Sequence, residues 1–314
     1  MNLLVTGGAG FIGSNFILHV LKKYPKYTIV NFDKLTYAGN TKNLSGTDKN
    51  LNYFFIQGDI ADAKLVKKII QKYSLTHIVN FAAETHVDRS ITDPDAFIQT
   101  NVVGTHSLLK CALEARVKRF LHISTDEVYG ALGKTGSFTE KIPLSPRSPY
   151  AASKAAGDHL VFSYFHTYKL PALITRSSNN YGPRQYPEKL IPLFIKNLLA
   201  NKKVPLYATG GNIRDWLYVL DNCEALDLVL HTGRLGEVYN IGGECEKTNK
   251  EVAMMILAEL GKSASFIQYV ADRPGHDFRY SLNTKKIQSE LGWKPKMPFK
   301  RGIHETVEWY KQLS

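Results

Sequence analysis

The chain has 314 residues, 44% hydrophobic and 22% charged, which excludes extensive disorder and allows one large α/β unit or two unequal lobes. Its formal charge of +12 favours anionic partners, but no Lys/Arg run exceeds two residues and no basic helix carries interleaved aromatics. Nucleic acid is therefore disfavoured, and phosphate-bearing small molecules come first. Three scattered cysteines, Cys111, Cys223 and Cys245, build neither a disulfide framework nor a metal site. There is also no long uncharged apolar run, so the expectation is a soluble cytoplasmic protein without membrane or metal.

Leu3–Thr6 is a short apolar β-run, and Gly7-Gly8-Ala9-Gly10-Phe11-Ile12-Gly13 follows without a gap. The glycines fit G-x-G-x-x-G at 8, 10 and 13, and equally G-x-x-G-x-x-G at 7, 10 and 13. The stretch from Ser14 to Lys22 continues as an amphipathic helix with Phe16, Ile17, Val20 and Leu21 as its apolar stripe. Strand, glycine turn and helix together suit a pyrophosphate, because glycine lets the backbone approach and the helix N-terminus offers free N–H groups. A second run, 28–32, ends at Asp33, twenty residues past Gly13. An acid there accepts from the adenosine ribose hydroxyls and disfavours a 2′-phosphate, which points to NAD rather than NADP.

A third run, 53–60, ends in Gly58-Asp59-Ile60, with Asp59 placed either to reach an adenine amino group or to cap a helix from Ala61 to Tyr73. A fourth, 77–83, ends in two alanines small enough for a flat ring to lie against, and the polar segment Glu84–Ser90 follows. His86-x-Asp88 lacks a third nearby metal ligand. After a helix from Asp95 to Ala115, the fifth run, 119–123, leads into Ser124-Thr125-Asp126-Glu127. Ser148 as N-cap and Pro149 at the first helical position start a further helix that carries Tyr150 and Lys154 four apart on one face. An ammonium beside a phenol favours the phenolate, a general base suited to a sugar hydroxyl. Y-x-x-x-K alone is a weak signal, and its weight comes from the dinucleotide turn. The sixth run, 172–176, ends in Ser177-Ser178-Asn179-Asn180-Tyr181-Gly182-Pro183.

Strands alternating with helices over 1–180 predict a doubly wound parallel sheet, a Rossmann-type α/β fold that binds NAD. Residues 181–314 are expected as a smaller mixed α/β C-terminal lobe for substrate, with some chain crossings and closing helices at 283–291 and 300–312. Three of its clusters are polar enough for a site: 187–192, 212–216 and 272–277. Arginines and a lysine there suit a second diphosphate.

Taken together, Thr6-Gly7-Gly8-Ala9-Gly10-Phe11-Ile12-Gly13, Tyr150-x-x-x-Lys154 and Ser178-Asn179-Asn180-Tyr181-Gly182-Pro183 resemble the extended short-chain dehydrogenase/reductases that act on nucleotide sugars. Four stretches resemble the dTDP-glucose 4,6-dehydratase family: 82–90, Ser124-Thr125-Asp126-Glu127-Val128-Tyr129-Gly130, Pro187-Glu188-Lys189-Leu190-Ile191-Pro192 and Asp272-Arg273-Pro274-Gly275-His276-Asp277. The Asp-Glu pair discriminates, since epimerases of the superfamily lack it. The resemblance implies NAD on Gly7, Gly10, Phe11, Ile12, Gly13, Asp33, Lys34, Leu35, Thr36, Asp59, Ile60, Phe81, Ala82, Ala83, Thr85, Thr100, Tyr150, Lys154 and Asn180. For the nucleotide sugar, dTDP-glucose, it implies Thr85, Thr125, Asn179, Glu188, Lys189, Leu190, Ile191, Pro192, Pro205, Tyr207, Arg214, Asn249, Asp272, Arg273 and His276.

The catalytic set so implied is Thr125, Asp126, Glu127, Tyr150 and Lys154. Tyr150 deprotonates the carbon-4 hydroxyl as hydride leaves, and Thr125 orients that hydroxyl. Glu127 then removes the carbon-5 proton while Asp126, kept protonated, releases the carbon-6 hydroxyl as water, and hydride returns to carbon 6. Two features depart from the family: Thr85 stands where serine is common, and the segment 131–149 is short. A homodimer through helices near 95–115 and 150–168 is also implied. The rival readings are a nucleotide-sugar epimerase or decarboxylase, which the acid pair argues against, and a non-catalytic NAD-binding regulator, which has no use for a tuned phenol.

Overall fold

The structure is a computed structural model that describes residues 1–272 and 276–313. Arg273, one of the expected substrate contacts, lies outside the described residues. In chain order the strands are β1 (Asn2–Thr6), β2 (Thr28–Asp33), β3 (Tyr53–Gln57), β4 (His77–Asn80), β5 (Arg119–Thr125), β6 (Ala172–Ser177) and β7 (Asn179–Tyr181), then β8 (Val204–Tyr207), β9 (Ile213–Tyr218), β10 (Val238–Ile241), β11 (Glu246–Thr248) and β12 (Ile267–Val270).

Seven of them form one all-parallel sheet in the order β3-β2-β1-β4-β5-β6-β10. The order reverses between β1 and β4, and in open α/β sheets a ligand crevice lies beyond the strand ends at such a point. Both faces are covered, so alternate residues of one strand serve two cores. Leu3 and Val5 pack with Phe16, Ile17 and Val229 under helices Phe11–Lys23 and Val219–Thr232. Leu4 packs with Ile69, Leu108 and Val161 under helices Ala63–Lys72, Thr105–Glu114 and Pro149–Tyr168. The Rossmann-type α/β sheet anticipated from the alternating pattern is present.

A third core, with Tyr181, Phe194, Leu198, Trp216, Val252, Ile303 and Val307, holds helices Leu190–Leu199, Asn249–Glu259 and Phe299–Lys311 against the short sheets β11-β9-β7 and β12-β8. Strand β7 already pairs with β9 of the second lobe, and the chain then returns, residues 219–232 covering the large sheet and β10 extending it beside β6.

Two local expectations need correction. The cap of helix Ala63–Lys72 is Asp62, whose carboxylate accepts from Lys64 N and Leu65 N at 3.1 and 3.0 Å, so Asp59 is released from that role. The helix expected over 95–115 is regular only at Asp95–Phe97 and Thr105–Glu114, with a π-helical stretch, Ile98–Gly104, between them. Such stretches are frequent at functional sites, and this one turns Thr100 toward the cleft.

Candidate active site

One cleft runs along the carboxyl ends of β1, β2, β4, β5 and β6. At one end lies the glycine turn. Gly7 sits at φ +67°, and a Cβ on Gly13 would stand 2.4 Å from Gly7 O, so the turn closes only with glycine at both places. Phe11, Ile12 and Gly13 open the helix that follows and line the cleft with their free backbone N–H groups. Asp33, 8% exposed, accepts from Ala9 N at 2.9 Å and Leu35 N at 2.8 Å, and burial raises its pKa. Leu35 contributes that N–H and is held at φ +57°. Lys34 and Asp59 pair at 2.8 Å on the cleft wall; burial pushes Asp59 up, but Lys34 and the Ala61 N–H hold it below the usual carboxylate range. Thr36, Ile60, Phe81, Ala82, Ala83, Thr85, Thr100 and Asn180 complete the lining. A glycine cradle, a helix N-terminus and an acid at the end of β2 fit an NAD dinucleotide.

The reactive groups meet where β5 ends. Thr125 terminates the strand and its side chain caps the short turn Asp126–Tyr129, accepting from Glu127 N at 3.3 Å and donating to Asp126 Oδ1 at 3.2 Å. Asp126 is 2% exposed, and its pKa lies well above the ordinary value through burial, then the charges of Glu127 and Asp215. Asp215 is itself pushed up to about 6 by burial, although Cys245 N and Gly243 N donate to it. Two neighbouring carboxyls are thus placed in unequal surroundings, as acid and base duties require.

Tyr150 and Lys154 enter the same cleft from helix Pro149–Tyr168, which Ser148 caps by accepting Ala151 N at 3.1 Å. Their relation differs from the sequence expectation. Lys154 Nζ donates to Ile123 O at 2.7 Å, and Tyr150 has its pKa raised rather than lowered, through burial first and then the Glu127 carboxylate. Residues four apart share a helical face, but here the buried ammonium is held by a backbone carbonyl of β5. Burial brings Lys154 down to about 8, with Asp158 opposing.

Beneath these groups lies a buried polar network. Arg176 Nε donates to Asp158 Oδ2 and Arg176 Nη1 to Tyr129 Oη, each at 2.9 Å, and Tyr129 Oη donates to Asn240 Oδ1 at 2.8 Å. His122 Nε2 stands 3.7 Å from Asp158 Oδ1, and burial, then Lys154 and Arg176, drive its pKa far down.

At the mouth, Asn179, Glu188 and Lys189 line the cleft. Lys189 Nζ donates to Thr85 O at 2.9 Å, Tyr37 Oη donates to Glu188 Oε1 at 3.0 Å, and the Arg89 guanidinium lies 3.7 Å over the Tyr37 ring. The remaining expected substrate residues form a separate group on the second lobe. Leu190 opens its helix, whereas Ile191 and Pro192 are buried, Ile191 in the third core. Pro205 and Tyr207 are on β8, and Tyr207 Oη reaches Asp88 Oδ2 at 3.4 Å. Arg214 is fixed by Ile213 O and Asp277 O at 2.8 and 3.0 Å, and Asn249 heads helix Asn249–Glu259. Asp272 accepts from His276 Nδ1 at 2.6 Å. Tyr186, Gln185, Ser177 and Ser178 line the cleft without having been singled out; only Ser177 and Ser178, at the end of a strand run, carried a signal that could have found them.

The model of the family described as GDP-mannose 4,6 dehydratase matches residues 4–306. The chain belongs to this family. It is similar to a dTDP-glucose 4,6-dehydratase of Xanthomonas campestris pv. campestris strain B100, 51% identical over 98% of this chain and 92% of that protein. One from Streptomyces niveus is 50% identical over 99% of this chain and 93% of that protein. Among solved structures, a dTDP-glucose 4,6-dehydratase of Streptomyces venezuelae with NAD bound superposes with TM-score 0.97 at 50% identity, covering 99% of this chain and 97% of that one. The UDP-glucose 4-epimerase of Thermus thermophilus complexed with NAD also reaches 0.93, at 32% identity and full coverage of both chains. The fold is therefore shared between dehydratases and epimerases.

Proposed function

We propose that the protein converts dTDP-D-glucose to dTDP-4-keto-6-deoxy-D-glucose and water. The observation that carries the reading is the Asp126-Glu127 pair, with Asp126 buried beside Tyr150 in a cleft that also contains the dinucleotide turn. NAD is held by Gly7, Gly10, Phe11, Ile12, Gly13, Asp33 and Lys154, and when bound it supplies hydride acceptance from carbon 4 and hydride return to carbon 6. Tyr150 takes the carbon-4 hydroxyl proton as phenolate, a form that burial and the Glu127 charge oppose and that the positive charge of a bound nicotinamide would favour, and Thr125 orients that hydroxyl. Glu127 removes the carbon-5 proton, acidified by the neighbouring ketone, and later restores it. Asp126 donates its proton to the departing carbon-6 oxygen; burial, then the charges of Glu127 and Asp215, favour its protonated form. Glu188 and Lys189 border the sugar, and Arg214, Asn249, Asp272 and His276 receive the nucleotide.

We assign residues 1–180, completed by 219–241, to the cofactor lobe and the rest to the substrate lobe. Exposed Ile98 and Val103, 49% and 43% accessible, support a homodimer through helix 95–114. Free Cys111, Cys223 and Cys245 suit a cytoplasmic protein, and the product suits deoxysugar synthesis such as that of rhamnose.

The test is proton NMR of dTDP-glucose with the purified protein in heavy water, without added NAD and then with it. The expected product is the 4-keto-6-deoxy sugar with deuterium at carbon 5. A 4-epimer would mean epimerase chemistry, and turnover of GDP-mannose in place of dTDP-glucose would overturn the base assignment.

A further inference from the structure

One carboxylate at the cleft mouth is held from across the cleft by residues that the reaction itself leaves unused. Glu188 lies just before helix Leu190–Leu199 of the substrate lobe and lines the cleft, its side chain 13% exposed. Tyr37, in the loop 34–40 after β2, reaches over from the cofactor lobe and donates to Glu188 Oε1 at 3.0 Å. Burial, then the Glu188 charge, raises the Tyr37 pKa, so the phenol keeps the hydrogen it donates.

The other oxygen meets different neighbours. Glu188 Oε2 stands 3.7 Å from both His86 Nε2 and Arg89 Nη2, near enough to feel charge and too far for a hydrogen bond. His86 Nδ1 accepts from Arg89 N at 3.3 Å, so the neutral ring, which burial favours, carries its hydrogen on Nε2. The Arg89 guanidinium also lies 3.7 Å over the Tyr37 ring, and Tyr186 meets that ring edge-on at 5.6 Å. The phenol is therefore clamped in the orientation that bonds Glu188. A carboxylate offers about four lone-pair sites, and the Tyr37 bond fills one. The capacity left over suits a ligand hydroxyl in the cleft. Carbons 4, 5 and 6 of the sugar are taken up by the chemistry, which leaves the ring hydroxyls on carbons 2 and 3.

We propose that Tyr37 is a positioning residue that sets sugar selectivity, its hydrogen bond turning the Glu188 carboxylate to accept from a non-reacting ring hydroxyl on carbon 2 or 3. Arg89 contributes through the Tyr37 ring, by holding the phenol in place. The proposal rests on the dehydratase reading, which the wild-type product tests separately.

The experiment compares wild type, Tyr37→Phe, Glu188→Ala and the double variant with dTDP-glucose and its 2-deoxy and 3-deoxy analogues. Tyr37→Phe keeps a ring under Arg89 and removes only the donor. Its KM for dTDP-glucose should rise about 10-fold, well beyond any fall in kcat, the scale of a hydrogen bond to a charged group. The rise should vanish with the analogue lacking the hydroxyl that Glu188 holds, and the inhibition constant of dTDP should not move. In the Glu188→Ala background, adding Tyr37→Phe should change KM by less than about 2-fold. An unchanged KM in Tyr37→Phe would overturn the proposal. An equal rise for dTDP and for both analogues would reduce Tyr37 to a tie between lobes. A further rise of about 10-fold in the Glu188→Ala background would show that Tyr37 does not act through Glu188. Should Tyr37→Phe not fold, Arg89→Leu, which removes the clamp on the phenol, is read by the same criteria. Failure of wild type to dehydrate dTDP-glucose would instead strike the functional reading itself.

Discussion

Replacing Asp158 by Asn should cost the protein a large part of its stability although neither Asp158 nor its partner Arg176 lines the cleft. Asp158 is 0% and Arg176 2% exposed, so their interaction needs no discount for solvent screening. The substitution keeps the shape and one acceptor for Arg176 Nε, now 2.9 Å from Asp158 Oδ2, but leaves a buried guanidinium without its counter-charge. Breaking a buried pair in this way costs about 3–5 kcal/mol, and the retained acceptor places Asp158→Asn near the low end. Arg176→Met alone leaves a buried carboxylate whose other titratable neighbours are His122, kept neutral by burial, and Lys154 on its own helix. The double variant removes both charges and should regain about half of the single-variant loss. Urea unfolding followed by tryptophan fluorescence, run as a double-mutant cycle, measures the coupling. An Asp158→Asn protein within about 1 kcal/mol of wild type would refute the reasoning, because that is the scale of an exposed pair.

Other outcomes follow from the same geometry. If the Lys154 ammonium is required, kcat/KM should fall as pH rises through about 8, and Asp158→Asn should move the fall to lower pH, since that carboxylate opposes the effect of burial. Stability should respond with the opposite sign. Lys154 titrates at about 8 in the fold against 10.5 in the unfolded chain, so in that interval the unfolded chain binds more protons and this lysine's contribution to folding rises with pH. Asp126→Asn should oxidise dTDP-glucose but lose water at least about 10²-fold more slowly, seen as accumulated reduced-cofactor absorbance; undiminished dehydration would remove Asp126 from the acid role. Gly13→Ala forces a methyl to within 2.4 Å of Gly7 O, backbone against backbone, and should weaken NAD binding by about 1–3 kcal/mol in a titration of the apoprotein. Unchanged affinity would show that the turn has slack.

Much of the architecture was legible because it is written in local period. Leu3, Leu4 and Val5 alternate between two cores, and Phe16, Ile17, Val20 and Leu21 keep a helical stripe, so strand, turn and helix could be read before any contact was known. The Ser148-Pro149 start of the helix bearing Tyr150 was legible for the same reason: a cap is a property of adjacent residues. What escaped depends on tertiary neighbours. Tyr37 and Tyr186 lie in loops without periodicity and meet edge-on, ring centroids 5.6 Å apart, only because two lobes converge. The Lys154–Ile123 bond crosses from helix to strand, and spacing along the helix could not distinguish it from a bond to Tyr150. Asp59 and Asp62 are both reasonable caps in sequence, and only the backbone path decides between them.

The late arrival of β10 gives the molecule an order of assembly. Every residue of β6 is buried, one flank against β5 and the other against Val238–Ile241, which the ribosome delivers some sixty residues later, after the first strands of the substrate lobe. Until then a nascent chain has no partner for that flank of β6, and an unpaired strand edge is the kind of template that recruits another chain. A fragment cut at residue 180 would keep that edge permanently, so the two lobes are separable as descriptions of function and inseparable as things that fold.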